Sequence, residues 1–302
     1  ADTDIWLEYA GEKGIHGAIL SYLSLKKENF YMVENTVDGK FFVTARGWED
    51  LSEILKSYEE LQVEIGEELI GEFLQKEEIA RDFAGYYRLY EKYKSDYQIQ
   101  EILDGNVTSR QLKTCCDMGK KASFEERFTV TEMLLEAVTE RISSFQKTDE
   151  KTEKLYGNLK LLKVFLQEKN SVEAMEQFIV SRRKALDAKI CSELLTAEEA
   201  AREEEQIRIL EEYFFQLKEL HISDVAEGIE QIGERFGNVC RLRNEKLEET
   251  KKMLEQAFSF LEECFGEGQE LLLFETGLTG EDRCSIFISQ YGCPSYFKHC
   301  EL

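Results

Sequence analysis

Few residues in this sequence are arranged to do chemistry on their own. Near the C-terminus Cys293, His299 and Cys300 could offer soft ligands to a metal. A structural zinc site takes four ligands, usually from two closely spaced pairs. No Cys-x-x-Cys pair occurs among the eight cysteines, so packing accounts better for these three residues and no metal is expected. The residues three positions before His16, His221 and His299 are Lys13, Lys218 and Tyr296, which removes the Glu-x-x-His signature of carboxylate-bridged iron bundles. Neither a phosphate-cradling G-x-x-x-x-G-K-[ST] loop, nor Gly-x-Ser-x-Gly, nor His-Glu-x-x-His is present.

One position breaks a local rule. Thr44 stands where an extended segment ends and a helix begins, so its hydroxyl can cap that helix. Arg46 then falls in the first turn, at the positive end of the helix dipole, where a cation costs about 0.3–1 kcal/mol. An arginine beside free helix N–H groups makes a receptor for a phosphate. An arginine paired with Glu49 or Asp50 explains the same pattern, and local sequence leaves both accounts open. Further on, Phe83, Tyr86, Tyr87, Tyr90, Tyr93 and Tyr97 form one aromatic stripe at helical spacing. It is read as a packing face, because tyrosine hydroxyls alone do not make a ligand pocket.

The elements that must position these residues are mostly helical. With a single proline in 302 residues, long uninterrupted helices are expected. The one β element is Tyr31 to Val43, where Asp38-Gly39 supplies the tight turn of a hairpin. Two short strands cannot stand alone, so the hairpin must lie against helices. Helices are predicted at 45–61, 65–76, 77–97 and 98–104, before a boundary at Asp104 to Ser109. Beyond it, Phe128, Leu135, Val138, Ile142 and Phe145 make one seam, and Leu155, Leu159, Leu162 and Leu166 a second. Ile207, Leu210, Phe214, Leu217 and His221 step by three and four, which marks His221 as a core or interface histidine rather than a base. Ser123 with Glu126, and Thr196 with Glu199, have capping-box spacing. Gly266-Glu267-Gly268 breaks the last long helix, and a short apolar tail follows. The fold class is therefore all-α, mainly helical, with one small β-hairpin.

A net charge of −23 repels phosphate backbones and anionic lipid, so neither nucleic acid nor membrane is an expected partner. No apolar run reaches the ~18–20 residues that span a bilayer. The scattered cysteines are read as reduced thiols, and the protein as cytoplasmic. Ala1 opens the sequence and a helical pattern starts at Asp4, so the chain is expected to begin partway into a longer protein.

Certain runs carry a resemblance. Trp6-Leu7-Glu8-Tyr9-Ala10 leads through Gly14-Ile15-His16 to Ala18-Ile19-Leu20-Ser21-Tyr22-Leu23. Glu28-Asn29-Phe30-Tyr31, Phe42-Val43-Thr44-Ala45-Arg46-Gly47-Trp48-Glu49-Asp50-Leu51-Ser52 and Ile79-Ala80-Arg81-Asp82-Phe83 follow. Together they resemble the part of a MoxR-type AAA+ ATPase that follows its nucleotide-binding core. The likeness is specific over residues 1–105, and 107–265 share only helical character. It implies a lid-like helical domain with a hairpin over 1–106, while the heptad seams themselves predict an elongated helical bundle with short C-terminal helices over 107–302. It also assigns Thr44-Ala45-Arg46 to the family's Ser/Thr-x-Arg pattern, in which Arg46 is the "sensor 2" arginine that reaches the terminal phosphates. ATP and Mg would be bound by the intact parent, not by this chain, which lacks both Walker motifs and the arginine finger and should not hydrolyse ATP. The implied partners are an upstream AAA+ core, a ring of like subunits and a von Willebrand factor A domain protein, and the implied role is chaperone-like remodelling. A self-sufficient helical adaptor whose seams bind partner helices is the rival expectation.

Overall fold

The computed structural model describes residues 3–36 and 39–300. It is 82% helical, with one two-stranded antiparallel sheet among the described residues, so the fold is all-α with a small hairpin. The chain forms two compact units, Ala1–Glu140 together with Lys252–Leu302, and Arg141–Lys251.

In the first unit, α1 (Thr3–Glu12) buries Trp6 and Ala10, and Trp6 packs on Phe30 with ring centroids 4.8 Å apart. Helix α2 (Gly17–Leu25) is capped by His16, whose Nδ1 accepts from Ala18 N. Strands β1 (Met32–Thr36) and β2 (Gly39–Val43) pair with Met32 opposite Val43 and Val33 opposite Phe42. Asp38 of the expected tight turn lies outside the described residues. The hairpin does lean on helices: Val43 is fully buried, and Gln75 N donates to Phe42 O at 3.2 Å.

Helix α3 (Ala45–Glu60) turns Trp48, Leu51, Ser52 and Leu55 inward at helical spacing. The short α4 (Glu67–Phe73) leads to α5 (Glu77–Tyr97), which has the limits the sequence predicts. The aromatic stripe of α5 is the packing face expected, with Phe83, Tyr87, Tyr90 and Tyr97 buried. Helices α6 (Ile99–Asp104) and α7 (Ser109–Gly119) flank a turn that ends in a Thr108–Gln111 capping box inside this same unit.

Helix α8 (Phe124–Lys169) contributes its first part here. Phe128 and Leu135 of the expected seam are only half-buried, whereas Val130, Met133 and Leu134 are buried with Val138. The reason is that this stretch is covered on more than one side. Tyr86 and Tyr90 of α5 reach it, and an ideal Cβ at Gly277 would lie 2.2 Å from Leu135 Cδ2. The last part of α11 (Val225–Phe265) packs with α12 (Gln269–Gly280), α13 (Asp282–Tyr291) and α14 (Pro294–Cys300) around Phe258, Phe274 and Phe287. Cys116 and Cys264 are disulfide-bonded across a sequence separation of 148, which corrects the reading of all cysteines as free thiols.

The second unit holds the rest of α8, then α9 (Ala174–Cys191), α10 (Ala197–Glu219) and the first part of α11. Its core contains the predicted seam residues Leu155, Leu159, Leu162 and Leu166 with Ile207, Leu210, Phe214 and Leu217. Arg183 of α9 bridges Glu204 at 2.9 Å and Glu211 at 2.8 Å on α10. His221 is not in this core. It is exposed at φ 55° in the turn after α10, because the helix ends before the heptad step reaches it.

Candidate functional site

The first turn of α3 is fixed by two neighbours of Arg46. Thr44, extended at φ −139° and ψ 159°, caps the helix by accepting from Gly47 N. An ideal Cβ at Gly47 would lie 2.7 Å from the backbone oxygen of Phe73, so glycine is what allows the end of α4 to sit against this turn. Arg46 lies between them with its side chain 77% exposed. Its Nε donates to Asp50 Oδ2 at 3.0 Å, its Nη2 lies 2.8 Å from Asp50 Oδ1, and Nη1 stands 3.9 Å from Glu49. Of the two accounts that local sequence allows, the ion pair is therefore formed. Such an exposed i,i+4 pair contributes only about 0.3–0.5 kcal/mol, so an incoming anion would compete with a weak partner. The chemistry available is forked recognition of an anion at a helix start.

The other end of α3 enters a polar cluster that periodicity does not reveal. His16 N donates to Ser52 Oγ at 2.9 Å, and His16 Nε2 meets Glu59 Oε1 at 2.8 Å. Because Nδ1 already accepts from Ala18 N, the ring proton sits on Nε2 and is donated to Glu59. Tyr87 OH also donates to Glu59 at 2.8 Å, and Lys94 Nζ lies 3.6 Å away. Burial raises the pKa of the Glu59 carboxyl, but His16, Lys94 and Tyr87 override it and hold it at about 2. Beside it, Tyr90 OH donates to Glu136 Oε2 at 3.0 Å, and an ideal Cβ at Gly17 would lie 1.7 Å from that same oxygen. One turn earlier on α8, burial and the Glu136 charge push the Glu132 carboxyl up to about 7. Burial likewise raises Tyr90, and Glu136 adds to it.

This cluster joins α2, α3, α5 and α8 through partners 43 and 46 residues apart, which no short motif could announce. Two weak signals were available: Glu132 and Glu136 share a helix face with buried apolar residues, and the tyrosines of α5 each need an acceptor. The hydroxyls of Tyr87, Tyr90 and Tyr97 all end on glutamates, and that of Tyr86 on Ser21 and Thr129.

Cys293 and His299 do not converge. Cys293 Sγ donates to Glu255 Oε1 at 3.1 Å, and burial pushes its thiol up to about 12, away from nucleophilic use. His299 Nε2 meets a different carboxylate, Glu262, at 2.6 Å. The Cys300 side chain is outside what is described. Among the described residues no group of three or more His, Cys, Asp or Glu is placed to hold a metal ion. No described helix is long and apolar enough to cross a membrane. Comparison with family models, with curated proteins and with solved structures finds no match in any of the three.

Proposed function

We propose that this chain is the non-catalytic, lid-bearing C-terminal portion of a MoxR-type AAA+ ATPase, in which Arg46 meets the terminal phosphates of an ATP·Mg held by an upstream domain. Beyond the resemblance of residues 1–105, the observation that carries the reading is the state of Arg46. Its guanidinium is 77% exposed at a capped helix start and held by carboxylates of its own helix, Asp50 at 2.8 Å and Glu49 at 3.9 Å. Exchanging Asp50 for a phosphate costs little, and a charge-assisted bidentate contact of about 1.5–3 kcal/mol replaces it. Helix α3 would then move as one piece, since its buried face is keyed to α2 and α5 by Trp48, Ser52 and Glu59. On this reading the second unit couples that motion to partner or substrate proteins, within a cytoplasmic ring of like subunits and beside a von Willebrand factor A domain protein.

The test uses the intact protein, including the nucleotide-holding portion. Arg46→Ala is expected to lower kcat for ATP hydrolysis at least tenfold while leaving Tm within about 2 °C, because a surface pair contributes little to stability. Unchanged turnover would remove the sensor assignment. The Arg46–Asp50 fork itself favours a second reading, a self-sufficient helical adaptor with no nucleotide role. That reading predicts that no Walker-type nucleotide site precedes residue 1 in the full gene.

A further inference from the structure

Helices α7 and α11 meet through two cysteines far apart in sequence. Cys116 and Cys264 are both buried and bonded to each other. Their neighbours build in the close approach. An ideal Cβ at Gly119 would lie 2.7 Å from Phe265 Cε1, so glycine lets the last turn of α7 settle on α11 at this level. Phe260 packs edge-on against Tyr97 at 6.4 Å and against Phe265 at 5.9 Å, which fixes α11 on the same side. Cys115 points roughly 100° further round the helix. There its Sγ lies 3.7 Å from Tyr97 O, and burial keeps its thiol protonated, so it is a poor rival for the pairing. The whole second unit, Arg141–Lys251, lies between Cys116 and Cys264 in sequence.

We propose that Cys116 and Cys264 form a reversible redox clasp that, when oxidised, adds a direct covalent link between the two separate stretches of the first unit and, when reduced, leaves only packing and the intervening chain to hold them together. The oxidant is a small disulfide of the glutathione class. The Cys116 thiolate, at 7% exposure the more accessible of the two against 2% for Cys264, attacks it and releases one small thiolate. The Cys264 thiolate then attacks the Cys116 sulfur of the mixed disulfide and releases the second. Two electrons pass to the small disulfide, and the two protons lost by the cysteines end on the two small thiols. A dithiol reductant runs the sequence backwards.

A protease recognition site inserted after Glu193, in the turn where Leu194 is 72% exposed, allows one cut inside the second unit. After equilibration with oxidised glutathione and cleavage, the two fragments are expected to migrate together on a denaturing gel without reductant and apart after dithiothreitol. C115S should behave as wild type, and C264S should separate in both lanes. The uncut protein should lose roughly 5–15 °C in Tm on reduction, as expected for opening a long covalent loop, and the double variant C116S/C264S should show no such change. Wild-type fragments that separate without reductant overturn the proposal. So do a link that survives in C264S and a Tm indifferent to reduction.

Discussion

Within the cluster under α3, Glu59 is held at about 2 because burial is outweighed by His16, Lys94 and Tyr87, while Glu132 is pushed up to about 7 by burial and by Glu136. Both start from an ordinary value of 4.5, so they respond to pH in opposite senses. The unfolded chain binds a proton at Glu59 more readily than the folded one, so that stabilisation is present above 4.5 and is lost as pH falls towards 2. At Glu132 the folded chain holds the proton longer. Its contribution is complete below 4.5 and is lost as pH rises to about 7. Each limb is on the order of 3 kcal/mol. Glu132→Gln keeps the shape and cannot ionise, so its Tm is expected to fall less steeply than wild-type Tm between pH 5 and 7.5, as followed by circular dichroism, the remaining slope coming from Glu136, which burial also raises. Parallel profiles for the two proteins across that interval would show that Glu132 does not set the slope. The acid limb should remain in the variant, since Glu59 is untouched.

At the level of elements, the junction of α3 with α4 depends on a hydroxyl and on a missing methyl. Thr44→Ala removes the acceptor for Gly47 N and should cost about 1 kcal/mol. Gly47→Ala should cost about 1–3 kcal/mol, because the atom a Cβ meets is Phe73 O, part of the backbone, which cannot swing aside. Gly71 on α4 has open space where a Cβ would go, and Gly71→Ala should be neutral or stabilise by up to about 1 kcal/mol. Urea midpoints of the three variants check this, and a Gly47→Ala as mild as Gly71→Ala would remove the packing argument. Elements of this kind were legible in advance. Helix α5, the hairpin, the Thr44 cap and the Thr196–Glu199 capping box all follow from periodicity and capping chemistry confined to one turn. The full lengths of α8 and α11, 46 and 41 residues, were not, because no proline or glycine cap marks where one seam gives way to the next. His221 failed for the converse reason: the heptad step continues past the point where the helix stops.

At the scale of the whole molecule, what the sequence conceals is discontinuity. The first unit takes residues from both ends of the chain, and its limits at Glu140 and Lys252 fall inside α8 and α11, where nothing local changes. The Cys116–Cys264 pairing depends on that discontinuity, and the His16–Glu59–Glu136 cluster on long-range contacts inside Ala1–Glu140, which is why spacing alone exposed Arg46 and neither of these. The second unit is the simpler case, since its core, from Leu155 to Ile232, draws every buried member from within Arg141–Lys251. A stretch that buries its own seams against one another has the means to fold alone. Residues 141–251 prepared as an acetylated and amidated fragment, so that the cut ends of α8 and α11 carry no adverse charge, should be strongly helical and unfold in one cooperative step. Leu162→Ala, at a side chain 1% exposed, should lower the fragment's stability by about 2–5 kcal/mol, as expected for a packed core rather than a loose collapse. A broad, non-cooperative melt, or a fragment indifferent to Leu162→Ala, would mean that the seams of α8 and α10 find their packing only when the first unit is present.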